Sequence, residues 1–195
     1  AQSAAVSHTA SLAGSDAGAD ALLARLGIGR VTSLSTFLET LKLLHVVGPL
    51  PSANIASMSC SGGEASLMAD TAHGTAVHFP PLSDTQKTSL RATLGPIVAL
   101  ANPLDYHTFI WGDGPRTTDV FTTMLSGYDA GIYIIDTPRP DRCDPSGYQP
   151  ALDAIVAAQG TTGCSGSLVP SSLAATVWMC SRSRTRPPKR AMRHR

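Results

Sequence analysis

The run Asn54-Ile55-Ala56-Ser57-Met58-Ser59-Cys60-Ser61-Gly62-Gly63-Glu64 constrains the fold of this chain more than any other stretch. A short apolar segment bounded by turn residues reads as a buried strand over 54–58, and the glycines then open a helix over 62–72. Strand, tight turn and helix form the unit from which α/β proteins build anion sites. The first N–H groups of the helix have no internal partner and point outward. Ser61, Gly62 and Gly63 are therefore the candidate phosphate cradle, although a plain βα turn would use the same glycines for tightness. Glu64 reads as a favourable first-turn charge that would oppose a nearby phosphate, and it is left out of the candidate site. Cys60 either packs beneath the turn or stands as a reactive thiol at the helix start.

The same alternation continues downstream. Residues 76–79 read as a short strand closed by Pro80-Pro81, and Ser83-Asp84-Thr85-Gln86 as a capping box opening a helix through Leu94, with Leu90 and Leu94 inward. Residues 97–100 read as a strand delivering Asn102-Pro103-Leu104-Asp105 to its end, where open α/β sheets bind ligands. Asn102 could meet a ligand there or make an Asx turn before the proline. His107, Trp111 and Asp113 occupy a loop that could face a substrate. A helix over 116–126, a central strand over 131–135 and a helix over 148–158 complete the cycles, which predict an α/β fold with a mainly parallel sheet and helices on both faces. Upstream, the spacing predicts a helix over 16–26 with Leu22, Leu23 and Leu26 on one face, an edge strand over 28–31, and a second leucine-rich helix from Ser33 to about Gly48.

Charge divides the chain. Residues 1–160 hold all 14 acidic groups and 8 basic ones, whereas the last 35 residues hold seven basic groups and no acidic one. Residues 161–195 therefore read as a foreign or out-of-frame tail in which no fold is expected. The tail lacks an aromatic platform and follows an acidic body, which argues against nucleic acid as a partner. No apolar run reaches the roughly 18 residues of a membrane helix, so no membrane partner is expected and the default location is the cytoplasm. Cys60, Cys143, Cys164 and Cys180 show neither Cys-x-x-Cys nor zinc-site spacing; free thiols and no metal site are expected.

Near the start, Ser7-His8-Thr9-Ala10-Ser11-Leu12-Ala13-Gly14-Ser15-Asp16 places a lone histidine in a small-residue loop that runs into a helix. A neutral imidazole is a competent nucleophile, and the loop would let a phosphate approach. Followed by Gly27-Ile28-Gly29-Arg30-Val31 and Ser33-Leu34, this stretch resembles the phosphohistidine segment of the NDP-forming acyl-CoA synthetases, relatives of succinyl-CoA synthetase. The Ser59–Glu64 block leading to Ala69-Asp70, then Phe79-Pro80-Pro81-Leu82-Ser83 and Asn102-Pro103-Leu104-Asp105, occur in the family's order.

The resemblance covers about residues 1–158. It implies flavodoxin-like domains: residues 1–48 as the C-terminal part of one, and residues 49–160 as a second, truncated one. It implies an enzyme that joins a small carboxylic acid to CoA while cleaving ATP with magnesium to ADP and phosphate, through an acyl phosphate and phosphorylated His8. Asn102 and Asp105 match a family motif without a firm role beyond substrate binding. The CoA-binding and ATP-grasp portions would be partners outside this sequence, so the piece alone should lack full activity. The Tyr106-His107 to Trp111 loop hints at an acid other than succinate, and there is room for a homo-oligomer. A non-catalytic regulatory module of a protein acetyltransferase, or a small-molecule-binding flavodoxin-like domain, remain the alternatives.

Overall fold

The computed structural model describes residues 14–138, 141–162, 164–170 and 175–182. The chain divides into two compact units, residues 1–41 and 42–195. In the first, α1 (Asp16–Arg25) is capped by Ser15, whose Oγ accepts the Gly18 N–H at 3.0 Å. Arg30 pairs with both Asp16 and Asp20, which ties the following loop to the helix. Residues 28–31, expected as an edge strand, pair with no strand and run as coil. α2 (Leu34–Val46) starts in this unit. Its Leu34, Phe37, Leu38, Leu41 and Leu44 are exposed, as are Leu22 and Leu26 on the leucine face of α1. Apolar periodicity says which side of a helix can be covered, not what covers it.

The second unit is built on β1 (Ile55–Ser59), all five of whose residues are buried. It runs parallel to β2 (Leu104–Asp105), with Met58 opposite Leu104, and parallel to β3 (Ala130–Asp136), with Ile55 opposite Ala130. A strand covered on both faces needs a continuous run of small or apolar residues, and the Ile-Ala-Ser-Met-Ser segment supplies one. α3 (Gly62–Ala72) and α4 (Asp84–Leu94) lie between β1 and β2, α5 (Gly114–Leu125) between β2 and β3, and α6 (Gln149–Thr162) follows β3. This is the expected α/β class, a three-stranded parallel sheet interleaved with helices.

The capping box of α4 forms as expected: Ser83 Oγ accepts the Gln86 N–H at 3.2 Å while Gln86 Oε1 accepts the Ser83 N–H at 2.9 Å. The Gln86 amide nitrogen also donates to the Thr123 and Ser126 carbonyls, each at 3.0 Å, and so bolts α4 to the end of α5. The core gathers Met58, Leu90, Val98, Leu104, Val120, Met124, Leu125, Ile135 and Ile155 around three mutually packed rings. Tyr106, Phe121 and Tyr133 have centroids 4.7–6.5 Å apart, and the two tyrosine hydroxyls meet at 3.0 Å, so neither phenol is buried without a partner.

Three expectations are corrected. Residues 97–100 are not a strand; the strand comes later, at Leu104–Asp105. The reason is Asn102, whose side-chain oxygen accepts the Ser57 N–H at 3.0 Å while its nitrogen donates to Ile55 O at 2.9 Å. One side chain thus takes the ladder positions beside the first half of β1, and residues 97–100 need not pair. Residues 76–79 contribute only an isolated bridge, Asn54 with His78. Beyond residue 160, where no fold was expected, β4 (Cys164–Pro170) and β5 (Ala175–Arg182) form an antiparallel hairpin. β5 pairs antiparallel with β3, so the sheet order is β2-β1-β3-β5-β4 and its far edge is mixed. The β-branched and aromatic run Thr176-Val177-Trp178 has strand propensity that the charge argument overlooked.

Candidate functional site

The C-terminal ends of the parallel strands β1 and β3 open into a cavity of about 580 Å³ lined by Cys60, Ser61, Glu64, Thr108, Trp111, Ile135, Asp136 and Tyr148. This is where open α/β sheets bind ligands, and the volume lies within the roughly 300–1,000 Å³ of small-molecule sites. Ser61 is the N-cap of α3: its Oγ takes the Glu64 N–H at 3.5 Å, and its carbonyl accepts from Ser59 Oγ at 2.9 Å. Gly62 and Gly63 occupy the first turn, where backbone N–H groups have no intrahelical acceptor. Gly62 also lets β2 come close, since a Cβ there would lie 3.2 Å from Asp105 Oδ2.

Asp105 therefore sits beside the start of α3. Its Oδ1 accepts the His107 N–H at 2.9 Å, and His107 Nε2 lies 3.7 Å from Oδ2. His107 is held at φ 60°, ψ 174°, a conformation that side-chain-bearing residues rarely adopt, with its ring stacked on Phe109 at 5.1 Å. Asn102, by contrast, uses both ends of its amide within the fold, donating to Pro80 O at 3.1 Å as well as to Ile55 O. Its contribution is to fix β1, Pro80 and the segment that leads to Asp105. His8 lies outside the described residues.

The electrostatics of the cavity are those of a partly dry acidic site. Burial pushes the Glu64 carboxyl above its ordinary value, and the neighbouring charges of Asp136 and Asp105 push it the same way. Its Oε2 is buried and has no hydrogen-bond partner. Burial, then Glu64, raises the Cys60 thiol, so Cys60 is a protonated, half-buried thiol packed against the core. This favours the packing role for Cys60 over the reactive one. Cys143 is free and exposed.

Also lining the cavity, Trp111 and Tyr148 meet edge to face at 4.9 Å. The sequence flagged Trp111 but not Tyr148, Ile135, Thr108 or Asp136. Asp136 could have been found as the polar residue ending a buried strand, and Tyr148 had no signal before the fold brought the 146–148 turn across. Asp113, flagged with Trp111, caps α5 instead, accepting the Arg116 N–H at 3.1 Å. Among the described residues no cluster of three metal-ligating side chains occurs, and no helix is long and apolar enough to cross a membrane.

Comparison with known proteins gives three similarities. Residues 1–44 match the model of the succinyl-CoA ligase like flavodoxin domain. The chain is 28% identical over 141 residues to a trans-feruloyl-CoA synthase, FCS1, from an unknown prokaryotic organism, an alignment covering 72% of this chain and 20% of that protein. Its fold is similar to the dinucleotide forming acetyl-coenzyme A synthetase 1 of Ca. Korarchaeum cryptofilum. In complex with phosphate and ADP that protein superposes with a TM-score of 0.66 at 20% identity, over 84% of this chain and 34% of the other. Its apo form gives 0.62 at 17% identity, over 85% and 35%. The chain thus spans about a fifth of the curated relative and about a third of the solved one. Residues 1–44 are thus similar to the succinyl-CoA ligase like flavodoxin domain, and the fold is similar to part of an acetyl-coenzyme A synthetase.

Proposed function

We propose that this chain is the phosphohistidine-bearing part of a cytoplasmic acid–CoA ligase of the ADP-forming kind. The observation that carries the reading is the β1–α3 turn. A helix N-terminus opens at the C-terminal end of a buried parallel strand, in a chain whose first 44 residues match the succinyl-CoA ligase like domain. In the proposed sequence of steps, a ring nitrogen of His8 takes the γ-phosphoryl group of ATP with magnesium, and ADP leaves. The carboxylate of the acid then takes the phosphoryl group from His8 to form an acyl phosphate. The CoA thiol attacks the acyl carbon, loses its proton and releases inorganic phosphate. Ser61, Gly62 and Gly63 would stabilise the transferring phosphoryl group through first-turn N–H groups and the positive end of α3. ATP and CoA would be held largely by partner domains or subunits.

The carboxylates of Glu64 and Asp105 beside that turn favour a second reading, a small-molecule-binding module without phosphoryl transfer. One experiment separates the two. An acyl phosphate labelled in its phosphoryl group, incubated with the chain, should leave acid-labile, base-stable label on His8 that is absent from His8→Ala. A folded wild-type protein that takes no label would overturn the ligase reading and leave the binding module standing.

A further inference from the structure

We propose that Glu64 is a direct partner of the phosphoryl group at the start of α3, donating a hydrogen bond to it from a neutral carboxyl, so that the site takes its anion together with one proton. This role rests on the ligase reading and concerns how its phosphate cradle tolerates the carboxylates around it. Glu64 stands in the first turn of α3 with its N–H held by Ser61 Oγ, and both residues line the cavity. A group bound by the first-turn N–H donors therefore has the Glu64 side chain as a neighbour. Two features of that neighbourhood conflict while every carboxyl is charged. The helix start offers N–H donors and a positive dipole end to an anion. Yet Asp136 lines the same cavity, and a Cβ on Gly62 would lie 3.2 Å from Asp105 Oδ2. Among the described residues no basic side chain lines the cavity. Three charged carboxylates would outweigh the dipole of one helix.

Glu64 is the carboxyl placed to be neutral. Its Oε2 is buried without a hydrogen-bond partner, a position in which a charged carboxylate loses more than a neutral one. Burial, then the charges of Asp136 and Asp105, favour its proton in the same direction. Asp105, by contrast, accepts the His107 N–H at 2.9 Å, and Asp136 is exposed at the end of β3. The other titratable neighbours are Cys60, Tyr106 and Tyr133, all pushed towards their protonated forms, Tyr148 on the cavity, and His107 beside Asp105. A carboxylic acid O–H donates whereas a carboxylate only accepts, so the neutral form alone can meet a phosphoryl oxygen. The bound anion in turn favours that form, which makes uptake of anion and proton cooperative.

The test is titration of the chain with sulfate, a phosphoryl analogue, at constant ionic strength and at pH values from about 4 to 8, following the Gly62 and Gly63 amide resonances by NMR. Saturable shifts are expected at low pH, with affinity falling at least about tenfold as pH rises through the Glu64 titration. Glu64→Gln, whose amide N–H donates at every pH, should bind sulfate with little pH dependence, whereas His107→Gln should keep the wild-type fall. In wild type, sulfate should also move the midpoint of the Glu64 Cδ titration upward, a readout that needs no substitution, and amide dispersion shows whether each variant is folded. Affinity unchanged across pH in wild type, a fall that persists in Glu64→Gln or vanishes in His107→Gln, or binding by Glu64→Gln alone would each overturn the role of Glu64 and spare the cradle. No shift at Gly62 or Gly63 at any pH, in wild type and Glu64→Gln alike, would overturn the cradle of the ligase reading and this role with it.

Discussion

Asn102 shows how one residue can decide a topology. Its amide accepts from Ser57 N and donates to Ile55 O and Pro80 O, three bonds that replace a missing neighbour strand beside β1. Truncation would leave an N–H and a carbonyl of a buried strand unpaired. Asn102→Ala should therefore destabilise the fold by about 2–4 kcal/mol, read as a lowered urea midpoint. Asn102→Asp, which keeps the acceptor and loses both donations, should also destabilise; a midpoint unchanged in Asn102→Ala would show that the bonds are dispensable. The sequence offered two meanings for this residue, ligand contact or turn, and the fold uses it as a substitute for backbone pairing. No local pattern encodes that use, because its partners lie 22 to 47 positions away.

At the scale of elements, α3 joins two opposed tendencies. Its N-terminus attracts negative charge, yet Glu64 in its first turn faces burial and the charges of Asp136 and Asp105, which together raise its carboxyl above 4.5. The native state then holds the Glu64 proton over a range in which the unfolded chain has released it. That contribution to stability is fully present below about pH 4.5 and is lost as pH rises through the folded value. Glu64→Gln should accordingly be more stable than wild type near neutral pH, with the difference shrinking on acidification, as thermal melts across that range would show. A gain independent of pH would mean that packing rather than ionisation governs the site.

The elements themselves were largely legible: α3 and the capped α4 lie where glycine, serine and leucine spacing put them, and β1 and β3 where apolar runs bounded by turns put them. The β4–β5 hairpin was not, because charge balance reports on composition whereas pairing depends on β-branched runs and on an available edge.

For the whole molecule, the candidate site was half legible. The turn at Ser61–Gly63 announces itself because helix starts after glycines are local features. The Trp111–Tyr148 wall does not, since it exists only after the loop following β2 and the turn before α6 are brought together at the strand ends. The proposed function assigns phosphate binding to the start of α3 and phosphoryl transfer to His8. The most direct measurement is the rate of His8 labelling from acyl phosphate in wild type and in Gly62→Val, whose added side chain would crowd Asp105 and the first N–H groups of α3. The account predicts labelling slowed at least about tenfold in a variant that still melts cooperatively. Labelling at the wild-type rate in that folded variant would contradict it.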